Sequence, residues 1–336
     1  MIRFVFDNAW GISPGKILEK EVVFMELTLA LVQKISSLSI LILLGFLSVR
    51  TKLMTYEGSR ALSQFGLNFL TPCAVLEAFQ YKFELQKLSG MGFVLLASLL
   101  TAALFALLGN VFRRTFTLNT VETLSLEFPN VGNFMIPLVA GTMGEEWVIY
   151  LCPCVFVFNL FAFSYGQSAM AGARKISLSM LYKNVVIICS FIGLALFLFN
   201  WKIPGVLGEA VHSMSSMMGP VYMFTVGMIM GHADLKKVFR NRKAWFICFG
   251  RLFVFPVATL LLLKVCGISA LHPYSREILA IVVLASGAPV AVTITQFAQM
   301  YADEQASVAA STINILSTLL CLLTMPCISA LYQRIA

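Results

Sequence analysis

Charge is what this sequence has least of. Only 12% of its 336 residues are Asp, Glu, Lys or Arg, whereas a soluble domain carries roughly 25%. Hydrophobic residues make up 59% of the chain, and its mean hydropathy is +0.86. The net charge of +8 comes from short basic clusters between apolar runs, which indicate membrane topology and not a nucleic-acid surface. These features exclude a soluble protein and predict an integral membrane protein.

The common signatures of catalysis are also lacking. We find no His-Glu-x-x-His helix, no Gly-x-Ser-x-Gly elbow, no phosphate-binding Gly-x-x-x-x-Gly-Lys-Ser/Thr loop and no pair of Asp residues in neighbouring spans. Among the 8 cysteines, Cys152 and Cys154 form the only close pair, and their spacing is not typical of a zinc or thioredoxin site. We therefore expect no enzyme, no metal and no cofactor, and no ATP-driven pump unless a separate subunit supplies the ATPase.

Long apolar runs, in contrast, are abundant. A membrane span needs roughly 20 mostly apolar residues. Ten segments qualify, at about 27–49, 59–79, 89–112, 118–141, 146–169, 184–200, 205–232, 244–266, 275–298 and 304–332. Basic clusters follow the first, third, fifth and seventh of them, the last cluster including Lys236, Lys237, Arg242, Lys243 and Arg251. Because positive charge marks the cytoplasmic side, we predict a multi-pass protein of the plasma membrane with both termini outside the cytoplasm.

Glycine and proline positions repeat along the chain. Gly45 and Gly193 are 148 residues apart, as are Pro72 and Pro220, and Pro129 precedes Pro289 by 160 residues. Five spans separate the two copies, and an odd number of spans places the second copy in the opposite orientation. The predicted fold is therefore all-α, with ten transmembrane helices in two inverted five-helix repeats.

This repeat divides the chain into four parts. Residues 1–26 are expected to be an N-terminal extension or an interfacial helix, with Met25 as an alternative natural start. Residues 27–169 form the first repeat, 170–183 a short cytoplasmic loop and 184–332 the second repeat.

Two predicted spans contain polar, proline-interrupted stretches, at 126–137 and 285–296. Irregular backbone is tolerated at membrane depth only where protein or a water-filled cavity surrounds it. The half-helix after each proline begins with free amides and a partial positive charge, which favours an anion. The residues expected to bind substrate are Pro129, Asn130, Asn133, Pro289, Thr293 and Gln296.

Two carboxylates add further hypotheses. Glu127 lies at mid-depth, where an ionisable residue is expensive and marks a functional site by default. It is a candidate for binding and releasing a proton during transport, the alternative being a neutral packing residue. Glu77 is a candidate for lining an outer vestibule, the alternative being a solvated charge at the end of a helix.

The sequence resembles the auxin efflux carrier family of membrane transport proteins, in its bacterial branch. The resemblance is carried by Gly45, the Phe-Leu-Thr-Pro run at 69–72, and the stretches 128–137 and 286–293. It implies that the fourth and ninth helices cross at Pro129 and Pro289, between a scaffold domain and a mobile transport domain. It also implies export or import of organic anions such as malate or malonate, and a homodimer in the lipid bilayer.

Two alternatives stay open at this point. One is a sodium-coupled organic-anion symporter similar to the bile-acid transporters, whose sodium sites need several carboxylates that this sequence does not supply. The other is a membrane sensor that binds a ligand without transporting it.

Overall fold

A computed structural model describes residues 36–37, 39–80, 83–172, 185–268 and 275–335. Within these ranges the regular structure is helical, apart from one isolated backbone bridge between Pro129 and Val290. The predicted extension at 1–26, most of the predicted loop at 170–183 and His272 lie outside the described residues.

The helices are labelled in chain order. They are α1 (Ser39–Arg50), α2 (Tyr56–Phe65), α3 (Thr71–Ala78), α4 (Leu85–Phe116), α5 (Thr120–Glu127), α6 (Val131–Thr142), α7 (Glu145–Met170), α8 (Val185–Leu198), α9 (Gly205–Ser216), α10 (Met218–His232), α11 (Leu235–Arg240), α12 (Arg242–Val265), α13 (Ser275–Ser286), α14 (Val292–Tyr301) and α15 (Glu304–Ile335). A π turn, Gly66–Leu70, joins α2 to α3 without a break. Helices α6, α7 and α12 each contain a further π turn.

Four of these helices, α4, α7, α12 and α15, are long and apolar enough to cross a membrane. Helices α1, α6 and α8 are apolar but shorter. The predicted all-helical membrane protein is thus confirmed, and the arrangement of ten spans in inverted repeats stays a prediction.

Local sequence explains where α5 begins and ends. The Asn119 Oδ1 accepts from the Glu122 amide at 2.9 Å, and the Glu122 carboxylate accepts from the Asn119 amide at 2.9 Å, which forms a capping box. Glu122 also pairs with Lys243 of α12 at 2.8 Å. At the other end, Pro129 disfavours helical backbone at the preceding residue, and Phe128 is extended. The result is a helix of only 8 residues.

Helices α1 and α10 cross with almost no space between their backbones. A Cβ added at Gly45 would lie 2.0 Å from the Phe224 carbonyl oxygen, and one added at Gly227 would lie 2.0 Å from the Ile42 carbonyl oxygen. Small residues allow such approach between membrane helices. This contact joins a helix from the first half of the chain to one from the second half.

Gly227→Ala is expected to destabilise the protein by more than about 2 kcal/mol, because the new methyl group meets backbone that cannot rotate away. The matched control is Gly92→Ala in α4, where an added Cβ meets no atom within 4 Å. Thermal unfolding in detergent measures both variants. Equal midpoints for the two would show that the α1–α10 contact is looser than described.

Several large side chains are completely buried. They include Phe105, Phe134, Phe255 and, unexpectedly for a membrane protein, Arg251. Arg251 donates to carbonyls in α5 and α13, and Phe105 contacts both Arg251 and Phe255, so part of this buried set adjoins the irregular backbone that follows those two helices.

Candidate functional site

The two interrupted stretches cross each other. Pro129 and Val290 form an antiparallel bridge. The Asn130 amide donates to the Pro289 carbonyl at 2.8 Å, and the Ala291 amide donates to the Phe128 carbonyl at 2.9 Å. These bonds satisfy backbone groups that the helix breaks leave without a partner. The crossing therefore holds four helix ends together: the C-terminal ends of α5 and α13, and the N-terminal ends of α6 and α14.

The N-terminal ends carry free amides. Gly132 and Asn133 lie in the first turn of α6, and Val292 and Thr293 in the first turn of α14, where no carbonyl of the same helix reaches them. Gly132, Asn133 and Thr293 line a cavity of about 30 Å³, which we call the crossing cavity. A Cβ added at Gly132 would meet no atom within 4 Å, so the backbone faces open space there. The cavity has room for about one water molecule.

The structure brings four of the six residues predicted to bind substrate to this cavity: Pro129, Asn130, Asn133 and Thr293. The Asn130 and Asn133 side chains are 8% and 7% exposed. The other two, Pro289 and Gln296, do not line it. Pro289 contributes its carbonyl to the bridge, and Gln296 is half-buried farther along α14.

Three further polar residues adjoin the site that sequence reasoning did not single out. The Thr71 hydroxyl at the start of α3 is 2.9 Å from the Tyr222 hydroxyl of α10 and donates to the Asn133 Oδ1 at 3.4 Å. Thr71 and Asn159 both line the crossing cavity. In the sequence, Thr71 appeared only within the Phe-Leu-Thr-Pro run at 69–72 that carries the family resemblance, and Asn159 is a polar residue within an apolar run.

Arg251 corrects the sequence analysis. We grouped it with the cytoplasmic basic cluster, but its side chain is 0% exposed and lies at the crossing. Its guanidinium donates to three carbonyl oxygens: Leu126 at 3.1 Å, Ser286 at 2.5 Å and Ala288 at 3.2 Å. It also lies 4.9 Å from the centre of the Phe105 ring. One cation thus binds the C-terminal ends of both α5 and α13.

A sequence signal for Arg251 was available. It lies nine residues after Arg242, within an apolar run from Ala244 to Val265, and a charge inside such a run is a functional-site hypothesis by default. The surrounding π turn, Gly250–Val254, is the kind of irregularity that often accompanies functional residues in helices. Because Arg251 follows the basic cluster closely in sequence, it was assigned to that cluster and not to the membrane interior.

Glu127 is buried beside the crossing, at 4% exposure, and does not line the crossing cavity. Its carboxyl group packs against Gly109 of α4, where an added Cβ would lie 2.1 Å from its Oε1. Tyr165 of α7 faces the carboxyl group, and the positive charge of Arg113 acts on it. Within the described part of the chain, the Glu127 Oε2 has no hydrogen-bond partner. An ionised carboxylate without a partner is costly to bury.

A second cavity, of about 350 Å³, lies towards one end of the molecule. Glu77, Glu145 and His212 line it, together with Pro137 of α6. The Glu77 Oε1 is 3.2 Å from the His212 Nδ1. We call this space the Glu77 cavity; its ionisable groups are mainly acidic.

A third cavity, of about 640 Å³, lies towards the opposite end. Arg60, His232, Asp234 and Lys237 line it, and we call it the Arg60 cavity. The His232 ring stacks on Tyr56, with ring centres 4.2 Å apart. Its ionisable groups are mainly basic.

The three cavities follow one continuous helical segment. Along α2 and α3, Thr71 follows Arg60 by eleven residues and precedes Glu77 by six. A rise of 1.5 Å per residue separates these positions by roughly 16 Å and 9 Å. The crossing cavity thus lies between the other two, with the narrowest space in the middle.

Comparison with known proteins supports a transport role. A family model described as membrane transport protein matches residues 30–329. No curated protein matches the chain. The matched range contains α1 to α14, both interrupted stretches and nearly all of α15. The chain therefore belongs to the membrane transport protein family, which is the auxin efflux carrier family that its sequence resembles.

Proposed function

We propose that this protein is a secondary carrier that moves small organic anions, such as malate, malonate or other carboxylates, across the plasma membrane by alternating access. The observation that carries the proposal is the crossing itself. Two half-helix N-terminal ends and the side chains of Asn130, Asn133 and Thr293 meet at one buried cavity.

The chemistry of this cavity suits a carboxylate. Each helix N-terminal end carries a partial charge of roughly +0.5 and presents unpaired amides, so two such ends together offer about one positive charge to an anion. The carboxamides of Asn130 and Asn133 and the Thr293 hydroxyl add neutral donors that orient the bound group. A lysine or arginine lining the cavity is therefore not needed for anion binding.

The packing of α1 against α10 and of α8 against the end of α3 supports the predicted inverted repeats. Gly45 of α1, in the first half of the chain, packs against α10 of the second half. Gly193 of α8, its counterpart 148 residues later, packs against Phe79 at the end of α3 in the first half. Exchanged contacts of this kind are expected when two five-helix repeats are related by an inverted symmetry axis. We propose that these helices form the scaffold, with both termini outside the cytoplasm.

The order of the three cavities supports alternating access. The crossing cavity holds about one water molecule, which is too little for malonate, so the site is closed to substrate in this conformation. Opening requires the helices that meet at the crossing, α5, α6, α13 and α14, to move against the scaffold. The contact between Thr71 and Asn133, at 3.4 Å, is one of the bonds that this movement would break. We propose that the Arg60 cavity faces the cytoplasm, because basic residues are enriched on that side of membrane proteins.

Glu127 is our candidate for coupling. Its Oε2 has no hydrogen-bond partner among the residues that the structure describes, and Glu127 directly follows Leu126, whose carbonyl Arg251 binds. A proton on Glu127 removes one negative charge from beside the anion site. We therefore propose that the anion and a proton travel together.

Uptake into proteoliposomes tests the function. Labelled malate, malonate, succinate, lactate and indole acetate are offered in turn, with the pH gradient and the membrane potential set independently. We expect saturable uptake of at least one acid, driven by an inward proton gradient. Saturable binding of an acid without uptake or counterflow would instead indicate a sensor.

A further inference from the structure

We propose that Arg251 is the positioning residue that makes the crossing electropositive enough to bind an anion, although it does not line the crossing cavity. The inference rests on the proposed function, because it explains how the proposed anion site obtains its charge. It assigns a role to the one fully buried cation among the described residues.

The geometry places Arg251 at the negative ends of two helices. It binds the Leu126 carbonyl in the last turn of α5 and the Ser286 carbonyl at the end of α13. The last carbonyls of a helix have no partner within that helix. A third bond, to the Ala288 carbonyl, reaches the irregular segment that follows α13. Arg251 itself comes from a third helix, α12, so it holds both breaks in place from outside.

The charges at the crossing can be added up. The C-terminal ends of α5 and α13 each carry roughly −0.5, and the N-terminal ends of α6 and α14 each carry roughly +0.5, so the four ends together cancel. Arg251 adds one positive charge at the two C-terminal ends. The two N-terminal ends are then left uncompensated, and the crossing as a whole attracts one negative charge.

Among the described residues, no carboxylate forms an ion pair with Arg251. The ion pairs found among the described residues join other side chains, and the Phe105 ring is an uncharged contact. A charge buried without a counter-ion is costly, and three carbonyls offset only part of that cost. An anionic substrate at the N-terminal ends would supply the missing negative charge, which is the reason to expect that the arginine serves binding.

Guanidinium shape matters as well as charge. Three donors of one planar group reach three separate carbonyls, which a lysine ammonium cannot reproduce in the same geometry. Arg251→Lys keeps the charge and loses the fork, whereas Arg251→Met keeps much of the volume and loses both. The two variants therefore separate the electrostatic role from the packing role.

The test uses two probes that differ in charge: malonate, with two carboxylates, and malonamate, in which one is replaced by a neutral amide. For the unsubstituted protein, Arg251→Lys and Arg251→Met, the half-saturating concentration of each probe is measured by thermal stabilisation and by counterflow. Arg114→Met, at an exposed position near the end of α4, is the matched control.

Arg251→Met is expected to raise the half-saturating concentration about tenfold for malonamate and about a hundredfold for malonate, because the lost attraction scales with ligand charge. Arg251→Lys is expected to raise the half-saturating concentration of both probes by a smaller factor, and Arg114→Met is expected to leave it unchanged. If Arg251 served packing alone, Arg251→Met would weaken the binding of both probes by the same factor. Arg251→Lys would then bind the probes no more tightly than Arg251→Met does. That result would overturn the inference alone.

An unsubstituted protein that neither binds nor transports any acid of the proteoliposome panel, malonate included, would overturn the proposed function and this inference together. If Arg251→Met does not fold, the comparison of Arg251→Lys with the unsubstituted protein decides. Half-saturating concentrations for both probes that stay close to those of the unsubstituted protein support the charge role, because lysine keeps the charge, and an equal, large loss of affinity for both probes contradicts it.

Discussion

Asn133→Asp is expected to reduce carboxylate uptake by at least about a hundredfold while leaving the protein folded. The change is isosteric, and the side chain lines the crossing cavity at 7% exposure. A new carboxylate about 4 Å from the substrate carboxylate repels it by roughly 4 kcal/mol at an effective dielectric constant of 20. The measurement is the initial rate of uptake of the transported acid into proteoliposomes.

The matched control is Asn241→Asp. Asn241 caps the start of α12, where its side-chain oxygen accepts from the Ala244 amide at 3.1 Å. A carboxylate is equally suitable at that position, so this variant should transport normally. Normal uptake by Asn133→Asp would show that the anion does not approach Asn133, and would move the site elsewhere.

Glu127→Gln is expected to make transport independent of the pH gradient. Glutamine reproduces the protonated carboxylic acid in size and lack of charge, and Glu127 is buried beside Gly109 and Tyr165. The variant should therefore bind the anion as the protonated protein does, at every pH. Counterflow is preserved, whereas uphill uptake driven by an inward proton gradient falls to the level of leak.

An exposed glutamate provides the control for this second prediction. Glu209→Gln on α9 changes the same chemical group at the surface and should retain full dependence on the pH gradient. If Glu127→Gln still accumulates anion in response to a proton gradient, then Glu127 is a packing residue, and the proton is carried by another group.

The two helix interruptions were predictable because they depend on local chemistry, whereas their crossing was implied only by the family resemblance. Pro129 and Pro289 interrupt helices for covalent reasons that act within a few residues. Asn130 and Asn133 are polar within apolar runs, and the structure places both at the crossing cavity. Composition alone predicted a helical membrane protein for the same reason: backbone groups in lipid have few other ways to be satisfied.

What the sequence did not reveal depends on contacts between distant segments. Arg251 binds Leu126, which is 125 residues away in the chain. The sequence around Arg251 does not predict that carbonyls from two other helices will bind its side chain. The Thr71 contact with Tyr222 joins residues 151 positions apart. In both cases the sequence shows a polar residue in an apolar helix, but the residue that it contacts cannot be identified from the sequence.

Taken together, the proposed roles of Glu127 and Arg251 predict that anion binding depends on the protonation of Glu127. With Arg251 in place and Glu127 ionised, the two side-chain charges cancel beside the anion site. With Glu127 protonated, one positive charge is left for the substrate. Anion binding and proton binding should therefore favour each other, and their coupling must be reciprocal. The acid should bind more tightly at lower pH, and proton uptake should accompany acid binding.

The most direct test is an experimentally determined structure of the protein with the transported acid bound. The account predicts a carboxylate within about 3 Å of the amide nitrogens in the first turns of α6 and α14, beside Asn130, Asn133 and Thr293. The crossing cavity should be enlarged and the contact between Thr71 and Asn133 broken. An acid found only in the Glu77 cavity or the Arg60 cavity, with the crossing cavity still closed around about one water molecule, would contradict it.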